Sequence, residues 1–155
     1  MAILSGSNAV AIWHQAPSLE ALNEQSKNTI GEVLEIVITG IGDDYLRGRM
    51  PVDRRTHQPF GILHGGASVV LAESLGSMAA NLVVNPQTHY CVGLDINANH
   101  LKSVREGFVL GTARPIHLGK STQVWDIRIC DEHGRDVGRW AGDDQRPRDG
   151  RHLPA

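Results

Sequence analysis

Gly65-Gly66-Ala67-Ser68-Val69-Val70-Leu71-Ala72-Glu73-Ser74-Leu75-Gly76-Ser77-Met78-Ala79-Ala80-Asn81-Leu82-Val83-Val84 is the stretch on which the reading of this chain turns. Ala67, Val70, Leu71, Ser74, Leu75, Met78 and Leu82 recur at helical spacing, so the segment predicts one long helix. It stops near Asn85 and Pro86, because proline cannot continue the hydrogen-bond ladder and disfavours helical geometry in the residue before it. The stretch is about long enough to span a bilayer. Ser68, Glu73, Ser74, Ser77 and Asn81 inside it favour a buried helix of a soluble protein instead.

Strand-like sequence surrounds this helix. Before it, Ser18 caps a short helical run, Leu19 to Glu24, with Glu20 at the positive end of the dipole. Val33 to Thr39 and Tyr45 to Val52 alternate as two strands about a turn at Gly42, Asp43 and Asp44, and Asp53 to Leu63 reads as a loop. After the helix, Tyr90 to Leu101, Phe108 to Ile116 and Ser121 to Cys130 read as three more strands. The order is α+β. Short turns at Arg105 to Gly107 and Leu118 to Lys120 imply antiparallel neighbours, and the one long helix must cover a face of the sheet. Residues 136–155 lack alternation and are expected to be irregular or disordered, while 1–12 form an N-terminal extension, leaving 13–135 as the folded domain.

With 155 residues the chain fits one domain and can bury a hydrophobic core unaided. A net charge of −2 offers no excess of cations for a phosphate backbone, which argues against nucleic acid as a partner. Cys91 and Cys130 match no metal-ligand spacing and read as packing residues in a reducing compartment. Met1 to Ile12 lack the basic start of a secretory signal, so a cytoplasmic protein is expected, with no membrane partner.

From Thr56 to Leu94, 39 residues carry one formal charge, Glu73 in the middle of the apolar helix. A carboxylate there is costly unless hydrogen bonds or charges support it, so it is either a functional group, a residue on a solvated flank, or one tied to backbone amides. Ser77, one turn on, projects from nearly the same side and can hold a water beside Glu73, or simply bond back to its own helix. His64, Gly65 and Gly66 lie where unpaired amides and the macrodipole favour an oxyanion, although two glycines before a helix also serve as ordinary turn residues. Eight residues separate Gly65 from Glu73, roughly 12 Å along a helix. Both can act on one bond only if two antiparallel helices from different subunits supply them, which predicts a homodimeric site.

Gln58-Pro59-Phe60-Gly61-Ile62-Leu63-His64-Gly65-Gly66-Ala67-Ser68, followed by Leu71-Ala72-Glu73-Ser74, resembles the signature of the hotdog-fold acyl-CoA thioesterases of the PaaI-like superfamily. Met50-Pro51-Val52-Asp53, Asn97-Ala98-Asn99-His100 and Pro115-Ile116-His117-Leu118-Gly119 resemble the branch acting on dihydroxynaphthoyl-CoA in menaquinone synthesis, whose sister branch proofreads enterobactin synthesis. The resemblance covers roughly Ile12 to Arg135. It implies a sheet wrapped around the long helix and assembly into dimers and homotetramers. Glu73 would be the nucleophile or general base, Gly65 N–H would polarise the thioester carbonyl, and Gln58 and His64 would orient it and assist the leaving thiol. Ser77 would position water, Met78 and Leu82 would line the acyl pocket, His100 and Lys102 would lie near the pantetheine and phosphate end of CoA, and His117 and Gly119 would also bind substrate. No cofactor and no metal are implied. Relatives continue past Arg135 with one more alternating strand, expected to be missing here, which would leave a neighbour unpaired. The competing readings are a hotdog dehydratase or hydratase, whose usual His-Phe-Pro pattern is absent, and a noncatalytic acyl-CoA binding protein.

Overall fold

The computed structural model of the chain describes residues 10–143, 146 and 147. Two short helices, α1 (Leu19–Glu24) and α2 (Ile30–Val33), lead into strands β1 (Val37–Ile41) and β2 (Leu46–Pro51). The long helix α3 (Gly65–Val83) follows, then β3 (His89–Tyr90), β4 (Asp95–His100), β5 (Phe108–Leu118), β6 (Gln123–Asp131), β7 (Asp136–Asp143) and β8 (Arg146–Pro147). Six strands form one antiparallel sheet in the order β1-β2-β5-β6-β7-β4, while β3 and β8 pair separately. This is the hotdog arrangement, a sheet around one central helix.

Ser18 caps α1 as expected, accepting from Ala21 N–H at 3.4 Å. α3 has the length and composition of a membrane-crossing helix. Here one stripe of it, Leu71, Ala72, Leu75 and Ala79, is fully buried against Leu46, Met50, Val109, Ala113, Trp125, Ile127 and Ile129 of the sheet. Two facing glycines let it approach closely. Gly48 and Gly111 are direct cross-strand partners, and a Cβ on either would come within 2.9 Å and 2.5 Å, respectively, of the Leu75 methyls. A side chain at either position would lift α3 off the sheet.

Five expectations are corrected. Val33 to Thr39 is not one strand: Thr29 accepts from Gly31 N–H and caps α2, so β1 starts only at Val37. Local capping outweighs the β-branched pattern there. Tyr90 to Leu101 breaks after Tyr90 because Asn81, on the last turns of α3, clamps Cys91: its side chain accepts from Cys91 N–H at 2.9 Å and donates to Cys91 O at 2.9 Å. β4 also pairs with β7 and not with its sequence neighbour β5.

The largest correction concerns the tail. Asp136–Asp143 is a strand laddered to β6 on one side and β4 on the other, so the sheet has no gap after Arg135. Its inward residue Val137 is 2% exposed, and its outer face is fastened by ion pairs, Arg128 to Asp136 and Arg139 to Asp126. Glycine and charge replace the usual β-branched residues, so alternation is faint, yet backbone pairing on both edges suffices. Apart from residues 146 and 147, the expected irregular tail beyond Asp143 lies outside the described residues. At the other end, Ile12, placed in the extension, already belongs to the fold: its N–H donates to Asp43 O at 2.9 Å, and Trp13 Nε1 donates to Gly42 O at 2.7 Å.

The two sheet edges differ. Asn23 of α1 covers the edge of β1, donating to Ile38 O at 3.0 Å and accepting from Ile38 N–H at 2.8 Å. Among the described residues no strand flanks the outer side of β4.

Candidate active site

The loop from Asp53 delivers the chain to α3 with its first turn open. Thr56 anchors that loop, buried and donating to Pro51 O at 3.0 Å while its own backbone carbonyl accepts from His64 N–H at 2.8 Å. His64 is the N-cap, and its Nδ1 accepts from Gly66 N–H at 2.8 Å. That bond requires an unprotonated Nδ1, so the neutral ring carries its proton on Nε2, free to donate outward. Gly65 N–H remains at the positive end of a 19-residue helix. A Cβ on Gly65 would stand 2.7 Å from His100 Nε2, so glycine is needed for β4 to close over this turn.

Gln58, Gly65, His100 and Lys102 line one pocket at this helix end, walled by Leu63 and Val137. The Gln58 side-chain oxygen is occupied by Phe60 N–H at 2.5 Å, and its amide hydrogens have no partner among the described residues.

Glu73 lies elsewhere. It is half-buried, and Ser77 Oγ donates to its Oε1 at 2.6 Å. The two share a pocket with Cys91, Gly93, Trp125 and Ile127. Gly93, not among the sequence candidates, is what admits the carboxylate: a Cβ there would be 2.6 Å from Glu73 Oε1. An isolated glycine in a strand-like run is the available signal for such an approach. Ser77 also opens onto a neighbouring cleft with Met78 and Leu82, roofed by His14 and Gln15 of the N-terminal segment.

One chain therefore gathers the candidates into two separate groups, Gln58, Gly65, His100 and Lys102 in one and Glu73, Ser77, Met78 and Leu82 in the other. His117 and Gly119 join neither. They sit at the β5–β6 hairpin, packed on each other, with a Cβ on Gly119 2.6 Å from His117 Nε2.

A helix-end donor set can polarise a carbonyl, and a serine-held carboxylate can activate water. The chain belongs to the Thioesterase superfamily, whose profile matches residues 60–137. It is similar to 1,4-dihydroxy-2-naphthoyl-CoA hydrolase of Escherichia coli K12, with 54% identity over 124 residues, 80% of this chain and 90% of that one. Proofreading thioesterase EntH of Cronobacter sakazakii is 52% identical over the same coverage, 80% and 90%. The crystal structure of a mutant of thioesterase PA1618 from Pseudomonas aeruginosa superposes with a TM-score of 0.87 at 51% identity, covering 88% of this chain and 99% of that one. The chain is a thioester hydrolase.

Proposed function

We propose that the protein hydrolyses an aromatic acyl-CoA of the 1,4-dihydroxy-2-naphthoyl type to free acid and CoA, as a step of menaquinone synthesis, in sites shared between two subunits of a homodimer that pairs further into a tetramer. The observation that carries this reading is the position of the two half-sites along β4. Glu73 rests beside Gly93, just before β4, and Gly65 rests beside His100, at its end. β4 is a sheet edge, flanked by Leu94 and Leu101, which are 62% and 65% exposed. Antiparallel pairing of two β4 strands about a two-fold axis would set the start of one beside the end of the other, uniting the Glu73 of one protomer with the Gly65 turn of its partner.

In that site Gly65 N–H polarises the thioester carbonyl, and Gln58 and the Nε2–H of His64 orient it and stabilise the departing thiolate. Ser77 holds the carboxylate and a water near it. As general base, Glu73 takes a proton from this water, hydroxide adds to the carbonyl, and collapse expels CoA thiolate, which is then protonated. As nucleophile, it attacks the carbonyl carbon, the C–S bond breaks to release CoA thiolate, and water cleaves the resulting mixed anhydride to free acid and the Glu73 carboxylate. Met78 and Leu82 line the acyl chamber, and His100 and Lys102 face the pantetheine and phosphate portion. His117 and Gly119 would reach CoA only from another protomer of the tetramer. A cytoplasmic location fits an acyl-CoA substrate and two cysteines present as thiols.

The test is release of free thiol from naphthoyl-, benzoyl-, phenylacetyl- and medium-chain acyl-CoA. Naphthoyl or benzoyl thioesters should turn over fastest, and Glu73→Ala should lower kcat by about 10³-fold or more. Faster hydrolysis of the alkyl thioesters would overturn the aromatic assignment, and an active Glu73→Ala the mechanism.

A further inference from the structure

Ser68 is the odd residue of the buried stripe of α3. It is 1% exposed and stands in line with Leu71, Ala72, Leu75 and Ala79. The other two helix serines further along have partners: Ser74 donates to Val70 O at 2.7 Å and Ser77 to Glu73 at 2.6 Å. Among the described residues the Ser68 hydroxyl has none. A helical serine ordinarily bonds back to the carbonyl four residues earlier. Here that carbonyl, His64 O, already accepts from Ala67 N–H at 3.0 Å and Ser68 N–H at 3.2 Å. A buried hydroxyl left unpaired is unfavourable and uncommon, so it calls for a partner that arrives later.

The direction of the side chain says where. Helical Cα–Cβ bonds tilt toward the N-terminus, so Ser68 leans over the turn that Gly65 opens. It lines the same pocket as Gly65, Gln58, His100 and Lys102. The backbone N–H of Gly65, the Gln58 amide and the Lys102 ammonium are all hydrogen-bond donors, so the pocket takes a ligand atom that accepts.

We propose that the Ser68 hydroxyl is a second donor to the thioester carbonyl oxygen, beside Gly65 N–H; this rests on the thioesterase site proposed above. The hydroxyl keeps its proton throughout. Its bond is made when substrate enters and strengthens as the carbonyl oxygen gains charge in the tetrahedral intermediate, so it lowers the barrier more than it tightens binding. In the free protein the same hydroxyl costs stability, which the site recovers only during turnover.

Ser68→Ala tests this by two readouts that move in opposite directions. Loss of one oxyanion donor should lower kcat by roughly 10²-fold and raise KM by about tenfold or less, the smaller effect falling on binding. The melting temperature should hold or rise, because alanine removes the unmet hydroxyl and is the best helix former. Ser68→Thr, which keeps a hydroxyl, should recover much of kcat. Independently of turnover, a CoA ketone analogue with methylene in place of the thioester sulfur should bind Ser68→Ala about tenfold more weakly, while free CoA binds both proteins alike. Unchanged kcat and ketone affinity in Ser68→Ala, with an active wild type, would overturn this inference alone. A melting temperature that falls together with kcat, without rescue by threonine, would assign Ser68 to packing and equally overturn it. A wild type that neither hydrolyses the thioesters nor binds the ketone would overturn the proposed function and this inference with it.

Discussion

At the scale of single residues, the proposed catalysis depends on how closely backbone and side chain approach. Glu73 is held from one side by Ser77 and touched from the other by the bare backbone of Gly93. Gly93→Ala should push the carboxylate aside and lower kcat by about 10²-fold with little change in melting temperature, since misplacement of about 1 Å is enough. Steady-state kinetics beside a thermal melt would separate this from unfolding. Asp131 and Asp53 report on acid stability instead. Burial pushes the Asp131 carboxyl up, but the N–H and guanidinium of Arg135, with the N–H of His133, outweigh it and hold it below its ordinary value. The side chain and N–H of Arg55 bring Asp53 down from 3.8 to about 2. Both groups bind protons more weakly folded than unfolded. Their contribution is therefore complete above the unfolded value and is lost as pH falls from about 5 toward about 2. Melting temperatures across that range should fall with pH, and Asp131→Asn should flatten the slope while melting lower at neutral pH.

At the scale of elements, α3 and the sheet meet through Leu75 over the Gly48–Gly111 pair. Gly111→Ala places a methyl 2.5 Å from a Leu75 methyl carbon, an overpacking that should cost about 1–3 kcal/mol in chemical denaturation. A variant as stable as wild type would show that α3 can slide, against the close fit described. α3 itself was legible in the sequence because nineteen residues of one period outweigh any local competitor. β7 was not. Asp136, Gly138 and Arg139 carry no strand signature, and only the two neighbours on either side make that segment a strand. The break between β3 and β4 was hidden for the same kind of reason, since the Asn81 clamp on Cys91 joins residues on different elements.

At the scale of the whole molecule, one chain holds two separate groups of candidate residues, and β4, which no described strand flanks on its outer side, lies between them. If two protomers share each site, co-expressed Glu73→Ala and Gln58→Ala chains, each nearly inactive alone, should recover about a quarter of wild-type activity, because half of randomly paired dimers carry one intact site of two. No recovery, with dimers confirmed by sedimentation, would place both half-sites in one chain's service and sink the shared-site reading. Much of this was readable beforehand. The isolated charge of Glu73, the glycines before the helix and the helical period between them are properties of the chain order, so the sequence by itself determined the long helix, its two chemical ends and their separation. Tertiary structure alone decided that β4 leaves β5 to lie outside β7, that the sheet continues through Asp136–Asp143, that Gly93 lies against Glu73 and that Ser68 lines the pocket of Gly65. Those facts rest on contacts between residues far apart in the chain, and local patterning carries no record of which distant backbone will come to lie alongside.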